Sequence, residues 1–207
     1  MKAAVRKRKP APIESYTEPL VLRTRPALDL TEDQFFALCQ LNRDLRIERN
    51  AEGEWLIMPP AGGGTGRREA EIIFQLAQWA KRDRTGLVYS PSTGFRLANT
   101  AVRAPDAAWV LRSRLDAIPA EQQEKFLPLC PDFVLELRSP TDRLADVQAK
   151  MVEYLANGAR LGWLLDPEPR HVYVYRPDAP VARLDRPETV AGDPVLPGFV
   201  LDLREIW

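Results

Sequence analysis

Apolar residues recur along this chain at two spacings, and the switches between them lay out its elements. Phe35, Phe36, Leu38, Cys39 and Leu41 follow Thr31, which stands as a helix N-cap with Gln34 at the reciprocal capping-box position. A short helix ending near Arg43 is predicted. LRIER and WLIMPP, joined by NAEGE, read as a β-hairpin. PPAGGGTG then breaks the pattern and is expected to be a flexible lead, open to a cleft, into a helix over 66–82. Ile72, Ile73, Leu76, Ala77, Trp79 and Ala80 give that helix its apolar stripe.

Strands are predicted at GLVYS, GFRLAN and PDAAWVL, and SRLDAIPAEQQEKF is helical or irregular. PDFVLELRSP is a mostly apolar run between prolines, as a central buried strand requires. A second helix is predicted over 141–157, with Leu144, Val147, Met151, Tyr154 and Leu155 inward and Gly158 as its stop. GWLLD, HVYVYRP and PGFVLDL complete the sheet, with PEPR turning between the first two. Strands flanked by two substantial helices define an α/β fold, one mixed β-sheet with helices on its faces.

A length of 207 residues suits a single domain, placed at 26–207. Residues 1–25 read as an irregular arm carrying Lys2, Arg6, Lys7, Arg8 and Lys9, either a solvated tail or a DNA-contacting segment. No run approaches the ~20 apolar residues of a membrane helix, and no apolar core follows the basic start as in a secretory signal. A cytoplasmic location is expected, with Cys39 and Cys130 reduced and buried. Lys plus Arg and Asp plus Glu both number 29, a balance that neither supports nor excludes a nucleic-acid partner.

The chemistry concentrates around two acids. Asp106 opens a strand, and Glu136 lies near the end of the buried one, on the face of Val134 and opposite Phe133, Leu135 and Leu137. An ionised glutamate there is costly unless paired or bound to a cation. Two carboxylates, a backbone carbonyl and waters are the hard oxygen ligands that Mg²⁺ prefers. Asp106 can equally be a turn residue after Pro105.

A lysine beside such a pair orients water and stabilises charge on a phosphate. Two residues after Glu136 stands Arg138, which can contact phosphate but cannot take a proton. Lys150 lies three after Val147 and four before Tyr154, at the flank of the inner helix face, within reach of Glu136; alone, it is also an ordinary solvated lysine. Glu69, aligned with Ile72, Ile73 and Leu76, points inward as a dipole partner or a site residue, whereas Glu71 aligns with Gln75 on the polar side. GGGTG lacks the lysine ending of a phosphate loop. His171 has no partner histidine nearby and reads as a surface or packing residue, and the five tryptophans as core or interface aromatics.

The segments MPPAGGGTGRREAEI, STGFRL, RAPDAAWV, CPDFVLELRSPTDRLADVQAKMVEYLANGARLGWLLDPE and VLPGFVLDL resemble the Uma-two family, a branch of the PD-(D/E)XK nuclease superfamily. The resemblance covers residues 31–207. It implies a restriction-endonuclease-like core that cleaves phosphodiester bonds in DNA with Mg²⁺, for which Mn²⁺ can substitute. Asp106 would be the aspartate of PD, Glu136 the acid of (D/E)XK and Lys150 its lysine, moved from strand to helix. Glu69, or else Glu71, would match the acid of the first core helix. The carbonyl of Leu137 would join Asp106 and Glu136 as a metal ligand. Arg138 departs from the motif and keeps open an alternative, a nucleic-acid-binding or assembly module that has lost efficient chemistry. Cutting both strands of a duplex would suit a homodimer.

Overall fold

A computed structural model describes residues 19–207; most of the basic arm lies outside the described residues. Residues 20–22 of that arm, expected to be irregular, form strand β1 (Leu20–Leu22), paired with β3. The Thr31 capping box forms in full, Gln34 Oε1 accepting the Thr31 amide at 2.9 Å, and α1 runs over Glu32–Leu41. The expected hairpin is β2 (Arg46–Arg49) with β3 (Trp55–Met58).

The second helix, α2 (Gly63–Asp83), starts earlier than the glycines suggest. Gly66 donates to the Gly62 carbonyl at 2.9 Å, so GGGTG is the first helical turn rather than a flexible lead. Glycine costs ~1 kcal/mol per helical position relative to alanine. Contacts such as the Arg68 Nε bond to the Ile206 carbonyl help hold the turn against that cost.

After α2 come β4 (Gly86–Tyr89), β5 (Phe95–Arg96), β6 (Val102–Arg103) and β7 (Ala107–Leu111). The SRLDAIPAEQQEKF segment makes two single turns, α3 (Arg112–Leu115) and α4 (Ala120–Gln123). Then follow β8 (Phe133–Leu137), α5 (Leu144–Ala156), β9 (Leu161–Asp166) and β10 (His171–Tyr175). Strands β11 (Ala182–Asp185), β12 (Thr189–Ala191) and β13 (Val200–Asp202) end the chain. Gly158, at φ +104°, stops α5 as its sequence position implied.

These strands do not form one sheet. The central sheet, ordered β11-β10-β9-β8-β7-β4, is mixed, with β8 and β9 parallel across the α5 crossover and the other pairs antiparallel. A second, antiparallel sheet is ordered β1-β3-β2-β6-β5 and takes the early hairpin and the GFRLAN strand. PGFVLDL, expected in the main sheet, pairs instead with β12 as a separate ribbon. Strand alternation explains why: Leu201 turns inward onto the α2 face of the core while Val200 faces solvent, so the ribbon covers the sheet rather than extending it.

Strand β8 is buried throughout, and its alternation divides the core. Phe133, Leu135 and Leu137 join Ile72, Leu76 and Trp79 of α2; Val134 joins Met151 and Tyr154 of α5 on the other face. Each large side chain so buried contributes ~2 kcal/mol. Gly162 on β9 faces α5, where an added Cβ would stand 2.5 Å from the flexible end of Met151, at Cε. Lys150 precedes that contact, so the packing of α5 sets where its charge arrives.

Candidate active site

Extending the β7–β8 register one pair beyond Ala107 and Leu135 sets Asp106 opposite Glu136. Ala108 and Val134 pack on the α5 side, so alternation points both acids to that same face. The backbone N–H of Leu137 donates to Asp106 Oδ2 at 2.8 Å, locking the aspartate across the strand ends. A residue's N–H and C=O point to one side of a strand, so the Leu137 carbonyl also faces Asp106.

Helix α5 supplies the partners of Glu136. Lys150 Nζ lies 2.9 Å from Glu136 Oε1, and Tyr154, one turn on, donates its hydroxyl to that oxygen at 2.9 Å. Both bonds fall on Oε1. Among the described residues Oε2 accepts no hydrogen bond from protein.

The second sheet closes the site with residues that sequence reasoning missed. Glu48 on β2, 2% exposed, takes Lys150 Nζ at 3.0 Å and the Ala104 amide at 3.2 Å on Oε1, and Arg103 Nη1 at 3.3 Å on Oε2. Arg103 also donates to Glu153 at 2.6 Å. Arg46, two residues before Glu48 and on its face, reaches Asp106 Oδ1 at 3.4 Å and the Ala104 carbonyl. The one local signal was that Arg46 and Glu48 flank Ile47 as alternating polar positions, a pattern shared with any solvent-facing strand.

Burial and charge act against each other here. Burial raises the Glu136 pKa, Lys150 draws it down and Asp106 adds to the rise, leaving it at about 7. Burial likewise holds Asp106 above the usual carboxylate range despite Arg46, Lys150 and the Leu137 amide. For Glu48 burial also works upward, but Lys150, Arg103 and Arg46 outweigh it and keep the carboxyl below its ordinary value. Burial disfavours the Lys150 charge, and Glu136 and Glu48 more than restore it. The Tyr154 phenol is held well above its ordinary range by burial and by the two glutamates, so it serves as a donor.

Half-buried Glu69 is raised by burial and by Glu136, with Arg46 drawing it down, so its charge belongs to this cluster. Glu71 does not join it; Gln75 donates to Glu71 at 2.9 Å and ties that side of α2 to Asp202. Arg138 is engaged within the fold through Nε and Nη1. It grips both oxygens of Asp166 at 2.9 and 3.0 Å and the Asp142 carbonyl at 3.0 Å, clamping β8 to its parallel neighbour. His171 pairs with Asp185 at 3.3 Å on the β10–β11 edge. Cys130 is buried and Cys39 partly so, both free, and burial pushes their thiols up to about 12 and about 11.

Among the described residues no three His, Cys, Asp or Glu side chains gather closely enough to hold a cation unaided. The donor set is a carboxylate pair, Asp106 and Glu136, with the Leu137 carbonyl beside it. Burial is the main cause of their raised pKa values and outweighs the pull of Arg46 and Lys150, so ionising both acids here is costly without a further cation. Hard oxygens and buried carboxylates that need a counter-charge fit a divalent cation that keeps several waters. Two surface clefts lie elsewhere, one beside Asp33 and Lys125 and one beside Thr100 and Asn157, and none of the site residues lines them.

A mixed sheet between helices, with an acid pair on adjoining strand ends and a helix lysine against the second acid, defines a restriction-endonuclease-like fold. The chain belongs to the Uma2 family, described as "Putative restriction endonuclease", whose model matches residues 32–204. The crystal structure of a "putative nuclease belonging to DUF820" from Anabaena variabilis superposes with a TM-score of 0.66 at 23% identity, covering 81% of this chain and 91% of that one. That likeness establishes the fold. No curated protein matches the chain. No helix among the described residues is long and apolar enough to cross a membrane.

Proposed function

We propose that this protein is a Mg²⁺-dependent endonuclease that hydrolyses phosphodiester bonds in DNA. The observation that carries the reading is Lys150 Nζ at 2.9 Å from Glu136, on the strand beside Asp106, within a family described as "Putative restriction endonuclease". Asp106, Glu136 and the Leu137 carbonyl would hold Mg²⁺, with Mn²⁺ as a substitute; bound there, the cation would polarise the scissile phosphate and offset charge on the leaving oxygen.

The chain's own groups divide the remaining work. Tyr154 and Lys150 fix Glu136 through Oε1 and leave Oε2 as the oxygen to meet the cation. Lys150, kept charged by two glutamates, orients the attacking water and stabilises charge developing on the phosphate. Glu69, at the edge of the cluster, assists by holding a further water or cation. A homodimer would bring two such sites to a duplex.

The alternative, a binding module without chemistry, rested on Arg138 in the lysine position of the motif. Arg138 serves Asp166, and Lys150 stands against Glu136, which supports the catalytic reading. Calorimetric titration with Mg²⁺ separates the two. Wild type should bind and the Asp106→Ala, Glu136→Ala double variant should not. Equal, negligible heats from both would remove the basis for the catalytic reading.

A further inference from the structure

Two arginines of this chain meet carboxylates near the site in contrasting ways. Arg138 Nη1 reaches both oxygens of Asp166 at 2.9 and 3.0 Å while its Nε donates to the Asp142 carbonyl at 3.0 Å, short contacts that fix its head. Arg46 meets Asp106 through Nη2 at a longer 3.4 Å, stands 3.9 Å from Glu48, and is otherwise held, among the described residues, only by its bond to the Ala104 carbonyl. Its Nε is buried without a hydrogen-bond partner, although most buried donors are satisfied. The Arg46 side chain is nonetheless 33% exposed.

The oxygen that Arg46 meets matters more than the looseness of the contact. Asp106 Oδ2 is committed to the Leu137 amide, which leaves Oδ1 as the oxygen available to a cation. Arg46 Nη2 is on that oxygen. A guanidinium stays charged at any accessible pH, so it cannot yield by losing a proton and must move away.

We infer that Arg46 is a displaceable internal counter-ion: it neutralises Asp106 when no metal is bound, competes with the divalent cation for Oδ1, and so sets the affinity of the site for metal. The inference rests on the metal-site reading above. It assigns Arg46 a positioning role, supplying the counter-charge at Oδ1 of an aspartate that the Leu137 amide already holds by Oδ2, until the cation takes over.

The test follows free Mn²⁺ by its paramagnetic resonance signal during titration with wild type, Arg46→Met, Arg46→Gln and Asp106→Asn. Removing one positive charge from a partly solvated site should tighten Mn²⁺ binding roughly tenfold in both Arg46 variants. Asp106→Asn should lose binding. Either Arg46 variant that keeps the wild-type circular dichroism spectrum suffices for the comparison. If the Arg46 variants bind no more tightly than wild type while Asp106→Asn loses binding, the metal site stands and the competition is refuted. If Asp106→Asn binds like wild type, the cation is not at Asp106, and the site and this inference fall together.

Discussion

Glu48 and Lys150 are 102 positions apart in the chain and 3.0 Å apart in the fold, joined where a strand of the second sheet meets the crossover helix of the first. Lys150 therefore lies between two buried carboxylates, Glu48 and Glu136, rather than beside one. Removing Glu48 should disturb more than a surface ion pair would. Glu48→Ala leaves Lys150, Arg103 and the Ala104 amide without their shared acceptor and should cost ~3–5 kcal/mol in denaturant unfolding. Glu48→Gln keeps an acceptor for the Ala104 amide and should retain more stability while still slowing cleavage. Equal stability of Glu48→Ala and wild type would show that the two sheets are held together without this network.

The elevated carboxyl of Glu136 makes stability depend on pH. Burial raises it from an ordinary 4.5 to about 7, so between those values the unfolded chain gives up this proton first. The group's stabilising contribution is complete below about pH 4.5 and is lost as pH rises through about 7. In chelator at pH 8, Glu136→Gln should therefore be more stable than wild type by ~1–3 kcal/mol, with the gap closing toward pH 4.5. Adding Mg²⁺ at pH 8 should raise the melting temperature of wild type and not of the variant. A variant less stable than wild type at pH 8 would mean that the Lys150 pairing outweighs the burial of the charge.

Arg138 is expected to be structural. Its partner Asp166 is buried at the end of β9, so Arg138→Ala strands a buried carboxylate and should cost ~3 kcal/mol in thermal or denaturant unfolding. Metal affinity, measured well below the melting transition, should stay within about twofold of wild type, a difference of ~0.4 kcal/mol. Loss of metal binding from a folded Arg138→Ala protein would return this residue to the chemistry.

The parts of this architecture that depend on local pattern were legible in the sequence. The Thr31–Gln34 box, the α2 stripe and the placement of Glu136 beside Val134 follow from spacing alone. Lys150 was within reach because a helix flank fixes the direction of its stem. Arg46 and Glu48 were not, since their value comes from docking one sheet against another. Sequence alternation says that two polar residues share a face, not what covers it. Strand partners are likewise non-local, which is why β13 could be read as a strand and still be assigned to the wrong sheet. The early start of α2 escaped for the opposite reason: local propensity was informative and tertiary contacts overrode it.

The most direct test of the central claim is a plasmid cleavage assay. Supercoiled DNA is incubated with wild type, Asp106→Ala, Glu136→Ala and Lys150→Ala, in Mg²⁺, in Mn²⁺ and in chelator. Wild type should nick or linearise the plasmid only with metal. Each of the three variants, folded by circular dichroism, should lose activity by two orders of magnitude or more, about 2.7 kcal/mol of transition-state stabilisation. No cleavage by wild type under any metal, or cleavage undiminished in the Asp106 and Glu136 variants, would contradict the account.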